Sequence, residues 1–315
     1  DTSALPGLHN PKRGWAGSAN NTPAPRSLLG EITGAYADGY RFRRIRQVLS
    51  ENNTVSPEIV KGLQWDNLDP RAVELKSKLI RLLKSAGGTG SLCAAQSLES
   101  WDCRFEGTSS APAIWEALWK RLVTEIGNAV LGQPAADLMA ESAGGFVRSL
   151  LTGKENPADH QINLESIVDK AADKAITYLK KTFGPDIENW AWAQAHTVKL
   201  VHPAAKTQAM KQLFNLGPFN CPGGGGTVNN RRPVETDSGF ENASGVSYRL
   251  FVDMSEPNVA WGATLAGQSG QPGSVNYDDR VMETLKNQYH PLLMDKKDIS
   301  KEAVHEFFAP RDLQE

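Results

Sequence analysis

Two features of this chain combine residue types suited to chemistry with a spacing that could use them. One is an asparagine pair on a short loop, Gly17-Ser18-Ala19-Asn20-Asn21-Thr22-Pro23. The other is a run of four arginines at positions 41, 43, 44 and 46. An asparagine held on a rigid loop can donate its side-chain amide to a developing oxyanion. Asparagine also suits turns because it tolerates left-handed φ, and from the residues alone the turn is the stronger reading. On a helix, Arg41 and Arg44 share one face and Arg43 and Arg46 another. Those arginines either form a solvated face paired with Glu31, Asp38 or Glu51, or bring a buried Arg41 to a substrate or a backbone carbonyl.

The other candidates are weaker. Gly223 to Gly226 invites a phosphate-loop reading, but no Lys-Ser or Lys-Thr follows, so a flexible or tight-turn loop is expected, with Thr227-Val228-Asn229 able to lead into an edge strand. In Gly267-Gln268-Ser269-Gly270 the second glycine comes one residue too early for a nucleophile elbow, and Pro272-Gly273 blocks the helix that should follow. His196 and His202, six apart in an alternating run, are expected on the same face of one strand in structural roles. Cys93 and Cys103 flank Trp101-Asp102 at a spacing that suits either a local disulfide or two free thiols. No Cys-x-x-Cys or His-x-x-x-His pair supports a structural zinc.

The elements that must position these residues follow from composition and pattern. The 315 residues carry 34 basic and 36 acidic side chains, a balance that argues against a broadly basic nucleic-acid binder. No apolar run reaches the roughly 18 residues of a membrane span. The first 25 residues, rich in Pro, Gly and Asn, read as extended loop. Helices are predicted from about Tyr40, from Ser56-Pro57, from Asp69-Pro70 to Gly87-Gly88, from Ala111-Pro112, and over 164–179 up to Phe183-Gly184-Pro185. Beyond Pro185, alternation at 196–202, 247–253 and 259–265 predicts strands, with a last helix over about 278–288. The expected organisation is therefore α+β: 1–50 as loop and first helix, 51–185 helical, 186–315 strand-rich with a C-terminal helix.

Taken in order, several stretches resemble the penicillin acylase family. They are Asn10-Pro11 and Gly14-Trp15-Ala16-Gly17-Ser18-Ala19-Asn20-Asn21, then Gly39-Tyr40-Arg41-Phe42-Arg43-Arg44-Ile45, Leu63-Gln64-Trp65-Asp66, Trp101-Asp102, and Gly267-Gln268-Ser269-Gly270 with Tyr277-Asp278-Asp279. The resemblance runs from about residue 8 to 295. The resemblance implies the later part of a β chain in a four-layer αββα N-terminal-nucleophile hydrolase, cut from a precursor and commonly exported to the periplasm or secreted. Such an enzyme cleaves N-acyl amides of the penicillin or acyl-homoserine-lactone type through an acyl-enzyme. Its nucleophile is an N-terminal Ser with its own α-amine as base.

This chain opens with Asp1, so the resemblance places that Ser on a partner segment, accompanied by an α chain. Asn20 matches the family's oxyanion-hole Asn, and Arg41 matches the Arg that helps position substrate and catalytic groups. Ala19 stands where the family carries an aromatic. Glu31 falls near a family calcium-ligand carboxylate, so a structural calcium is allowed while no cofactor is required. Neither nucleic acid nor membrane is implied as a partner. The competing expectation is a non-catalytic binding or scaffold module, against which the survival of the Asn-Asn and Tyr-Arg motifs argues.

Overall fold

The computed structural model describes residues 7–23, 36–52, 54–132 and 144–302, with the side chains of 300–302 left aside. Glu31 lies outside the described residues. The chain divides into two compact units, Asp1–Val246 and Ser247–Glu315.

The first unit is built on helices whose boundaries are set by local chemistry. Helix α1 (Tyr40–Glu51) starts after Gly39 in the left-handed region, and the Asp38 carboxylate accepts from the Tyr40 N–H at 3.1 Å. Helix α2 (Pro57–Gln64) is capped by Ser56, whose side chain accepts from the Ile59 N–H. In α3 (Pro70–Ala86) the Asp69 carboxylate accepts from the N–H groups of Arg71 and Ala72, and left-handed Gly87 closes the C-terminus. Helices α5 (Ala111–Leu131), α6 (Gly144–Thr152) and α7 (Leu164–Phe183) complete the predicted set and add one that the sequence did not signal, α6. Apolar stripes converge in one core, among them Leu75, Leu79 and Leu83 of α3, Ile114, Leu118 and Leu122 of α5, and Ala171, Ala172 and Ala175 of α7. Trp101, Phe105, Trp115 and Trp192 join that core as a chain of ring contacts with centroids 5.1 to 5.7 Å apart.

Helix α4 (Thr89–Glu99), like α6, goes beyond the sequence reading. Gly87-Gly88 ends α3, but α4 begins at once. Its first turn has no cap of its own. Two carboxylates of α7 supply one: Asp169 Oδ1 accepts from the Gly88 N–H at 3.2 Å and from Ser91 Oγ at 2.6 Å, and Asp173 Oδ1 accepts from the Gly90 N–H at 3.1 Å. A Cβ at Gly88 or Gly90 would collide with those same carboxylates.

After the four-residue helix α8 (Trp192–Ala195) comes a four-stranded sheet. Its strands are β1 (His196–Leu200), β2 (Leu216–Asn220), β3 (Arg231–Thr236) and β4 (Gly239–Gly245), with helix α9 (Gln208–Phe214) between β1 and β2. The spatial order is β2-β1-β4-β3; β1 pairs antiparallel with β2 and parallel with β4, and β3 is an edge. Strand β1 ends at Leu200, so His202 is not on it, contrary to the shared face expected from the spacing. Tyr178 of α7 fastens the β3–β4 turn by donating to the carbonyls of Thr236 and Gly239.

The glycine run preceding β3 is not a loose connection. Gly223, Gly224 and Gly226 are buried. The Gly224 N–H donates to Thr227 Oγ1, which in turn reaches the Gly224 and Asn229 carbonyls, and the Gly223 N–H donates to the Phe105 carbonyl at 2.8 Å. A Cβ on Gly224 would stand 2.7 Å from Phe105 Cδ1, and one on Gly226 2.5 Å from the Asp69 carboxylate oxygens. Close approach requires glycine here, and the tight-turn reading is the one realised.

The second unit holds an antiparallel sheet of β5 (Tyr248–Val252), β6 (Val259–Thr264) and β7 (His290–Leu293), with helices α10 (Val281–Leu285) and α11 (Lys296–Glu302). Helix α10 is shorter than the predicted 278–288, stopping before Asn287 in the left-handed region. The Gly267 N–H donates to the Tyr277 carbonyl and the Ser269 N–H to the Asn276 carbonyl, so the two halves of the C-terminal motif hold one another. Ser269 Oγ accepts from the Gln271 N–H at 3.1 Å, a turn-closing role.

Candidate functional site

The structure brings Asn20 and Arg41 together. Arg41 Nη2 donates to Asn20 Oδ1 at 2.9 Å, across 21 residues. Asn20 is at φ 60°, so the turn geometry and an outward-facing side chain coexist in one residue. Its neighbour is used differently. Asn21 Oδ1 accepts from the Ala19 N–H at 3.0 Å, and its Nδ2 donates to the Thr22 carbonyl. The Ala37 N–H donates to the Asn20 carbonyl at 2.7 Å, pinning the backbone of the loop. Of the pair, Asn21 builds the turn and Asn20 presents its amide.

Helix α1 positions Arg41. The buried residue of this helix is Tyr40, and the neighbouring arginines tie it laterally. Arg43 Nη1 reaches Glu74 Oε2 at 3.1 Å, and Arg44 Nε reaches Asp66 Oδ2 at 2.5 Å. Asp66 and Glu74 are partners that the sequence reading did not offer; of those it did, Asp38 acts on Arg41 by charge alone and Glu31 lies outside the described residues. No local pattern marks Glu74, which lies 31 positions from Arg43 and is brought near only when α1 packs on α3. Asp66 is the centre of a buried polar group. It also holds Arg104 at 3.4 Å and accepts from the Leu68 N–H, and its carbonyl receives the Asn229 N–H. Asn229 Nδ2 then donates to Asn67 Oδ1 at 2.8 Å, joining the glycine loop to the same centre.

Electrostatics follow burial. Half-burial lowers the Arg41 pKa from its ordinary value, with the charge of Asp38 acting the other way. Arg148 donates three hydrogen bonds to the Glu74 carboxylate; these, more than Tyr40 and Arg43, pull its pKa down to about 2. Arg41, Ile45 and Leu49 follow one another at i, i+4 and i+8, and so form one stripe of α1. Ile45 and Leu49 wall a cavity of about 570 Å³ with Trp15, Val60, Leu63 and Val228. The polar pair therefore heads a stripe that continues as an apolar groove.

The remaining candidates sit apart from this pair. His196 is fully buried, stacked on Trp192 at 4.5 Å, with Nδ1 3.0 Å from the Cys221 carbonyl. Burial pushes its imidazole down to about 4. His202 Nδ1 accepts from the Ala204 N–H in a turn. Cys93, Cys103 and Cys221 are all free thiols, which decides the question of a Cys93–Cys103 bridge. Among the described residues, no group of three His, Cys, Asp or Glu side chains is arranged to hold a metal ion, and no helix is long and apolar enough to cross a membrane.

Comparison with known proteins identifies the family. The penicillin amidase family model matches residues 1–301. The acyl-homoserine lactone acylase QuiP of Pseudomonas fluorescens strain Pf0-1 is 24% identical over 330 aligned positions, covering 96% of this chain and 39% of its own length. The protein of the same name from strain Pf-5 is 22% identical, covering 96% and 40%. This chain thus spans about 40% of the length of these relatives. Among solved structures, the thermostable penicillin G acylase from Alcaligenes faecalis superposes with a TM-score of 0.62 at 13% identity, over 100% of this chain and 60% of that one. That likeness establishes a mixed helix-and-sheet fold shared with penicillin G acylase. With the family match running through nearly every residue described above, the chain belongs to the penicillin amidase family.

Proposed function

We propose that this chain is one part of an N-acyl amide hydrolase that works through an acyl-enzyme, with the nucleophilic N-terminal Ser carried on a partner segment beside an α chain. In this reading the Ser Oγ attacks the amide carbonyl carbon while its proton passes to its own α-amine. The tetrahedral oxyanion collapses, the C–N bond breaks, and the leaving amine takes that proton. Water then cleaves the ester and releases the acid. Penicillins and acyl-homoserine lactones are the substrate classes it names, and export to the periplasm or medium belongs to the same reading.

The observation that carries it is the Arg41–Asn20 hydrogen bond. An amide whose oxygen is held by a guanidinium keeps its NH₂ for a different acceptor, and the cation draws electron density that strengthens those N–H donors. Asn20 Nδ2 is then the oxyanion donor, and Arg41 orients it. The test is Asn20→Ala in the fully assembled enzyme. Removing one oxyanion donor costs about 10²–10³ in kcat, with the fold intact and only a modest fall in melting temperature, since Asn20 is exposed but alanine is strained at φ 60° by about 1 kcal/mol. Wild-type turnover in that variant would remove Asn20 from the reaction. An assembled wild-type protein that turns over no acyl amide would favour a binding module.

A further inference from the structure

We propose that Glu74 is a positioning residue for this reaction, setting Arg41 and through it the Asn20 amide; the proposal rests on the roles given to those two residues above. Besides Glu74, the Arg44–Asp66 pair at 2.5 Å and the Tyr40 N–H on Asp38 Oδ1 at 3.1 Å hold helix α1, but Glu74 alone binds two residues that bracket Arg41. The helix follows Gly39, has no acidic residue in its first turn, and buries Tyr40. The Glu74 carboxylate, on α3, gathers the residues on either side of Arg41. Tyr40 OH donates to Oε2 at 2.7 Å and Arg43 Nη1 to the same oxygen at 3.1 Å.

The carboxylate is itself immobilised from a third helix. Arg148 of α6 reaches both its oxygens, with Nη2 at 2.7 Å from Oε1 and Nε at 3.2 Å from Oε1 and 3.1 Å from Oε2. The guanidinium groups of Arg43 and Arg148 also lie over the Tyr40 ring, at 4.7 and 5.6 Å from its centroid.

The consequence for Arg41 is geometric. Rolling α1 by about 20° moves an atom roughly 6 Å from the helix axis by about 2 Å. That displacement breaks a 2.9 Å hydrogen bond, and the Asn20 amide loses the contact that fixes which side presents its NH₂. Misplacement of about 1 Å in a catalytic group can cost about 10² in rate without loss of fold.

The experiment is a double-mutant cycle on the assembled, processed enzyme, measuring kcat and KM with a chromogenic N-acyl amide for wild type, Glu74→Gln, Arg41→Ala and the double variant. Glu74→Gln is expected to lower kcat by about 10- to 100-fold with KM within about twofold. In the Arg41→Ala background it should cost less than about twofold more, because a residue acting through Arg41 has nothing left to act on. An equal loss in both backgrounds, or wild-type kcat for Glu74→Gln alone, overturns the proposal while leaving the reading of Asn20 and Arg41 intact. Wild-type kcat for Arg41→Ala instead overturns that underlying reading and this proposal with it. Should Glu74→Gln fail to assemble, Tyr40→Phe removes one donor and keeps the ring. A loss of about 3- to 10-fold that vanishes in the Arg41→Ala background supports the proposal, and no loss overturns it.

Discussion

Replacing Gly224 by alanine tests whether the glycine loop is a packed part of the core. The added methyl carbon would lie 2.7 Å from Cδ1 and 2.9 Å from Cγ of Phe105. Neither side can withdraw easily. Phe105 is fully buried and held edge-on between Trp101 at 5.5 Å and Trp192 at 5.1 Å. The loop is held by the Gly224 N–H on Thr227 Oγ1 and by the Gly224 carbonyl receiving Thr227 Oγ1 and the Arg231 N–H. Overpacking of a rigid core costs about 1–3 kcal/mol, and this site belongs at the upper end. For a unit of about 250 residues, each kcal/mol lowers Tm by roughly 2–4 °C, so a fall of about 6–12 °C is expected by calorimetry. Gly225→Ala is the internal control, since its methyl would meet Pro233 Cδ at 3.9 Å, an ordinary contact. It should be neutral or stabilise by up to about 1 kcal/mol. Equal melting temperatures for the two variants would refute the packed-loop argument.

Other expectations are simpler to check. His196 stays neutral in the fold, its pKa held by burial at about 4 against about 6.5 in the unfolded chain, so its contribution is complete above pH 6.5 and is lost as pH falls toward 4. The loss is about 3 kcal/mol, read from urea unfolding at several pH values; His196→Phe, which retains the stack on Trp192, should flatten that slope, and an unchanged slope would count against a neutral buried imidazole. Burial raises the Cys103 thiol to about 11 and the Cys221 thiol to about 12. Iodoacetamide at neutral pH should therefore spare both in the native protein, reach half-buried Cys93 first, and modify all three after unfolding without reductant; a pair that stays protected once unfolded would contradict free thiols.

Where element ends are written in neighbouring residues, the sequence was readable. Ser56-Pro57 and Asp69-Pro70 behave as the helix caps their types suggest. What depends on distant partners was not. The arginine run was assigned to the correct helix, but its carboxylate partners were sought nearby, whereas Asp66 and Glu74 come from 22 and 31 positions away. Strand β4 was missed because its segment, with glycines at both ends and Asn242 and Ser244 within, has weak strand propensity and gains its place by pairing with β1 and β3. The alternation through His202 outran the strand because the chain turns at His202-Pro203. Asn20 and Arg41 became candidates together through the order of the family's motifs; neither residue alone distinguishes an oxyanion donor from a turn.

The capping of α4 by α7 has a consequence for how the chain acquires its structure. The carboxylates that complete the first turn of α4 lie 78 to 83 positions further along the chain. During synthesis, α4 emerges well before the groups that finish it, with its leading N–H groups open to water. A fragment ending before α7 should show little helicity at 89–99, and exchange of the Gly88 and Gly90 amides should slow only once α7 has docked. The order of assembly is thereby imposed from the C-terminal side of this pair: the later helix licenses the earlier one.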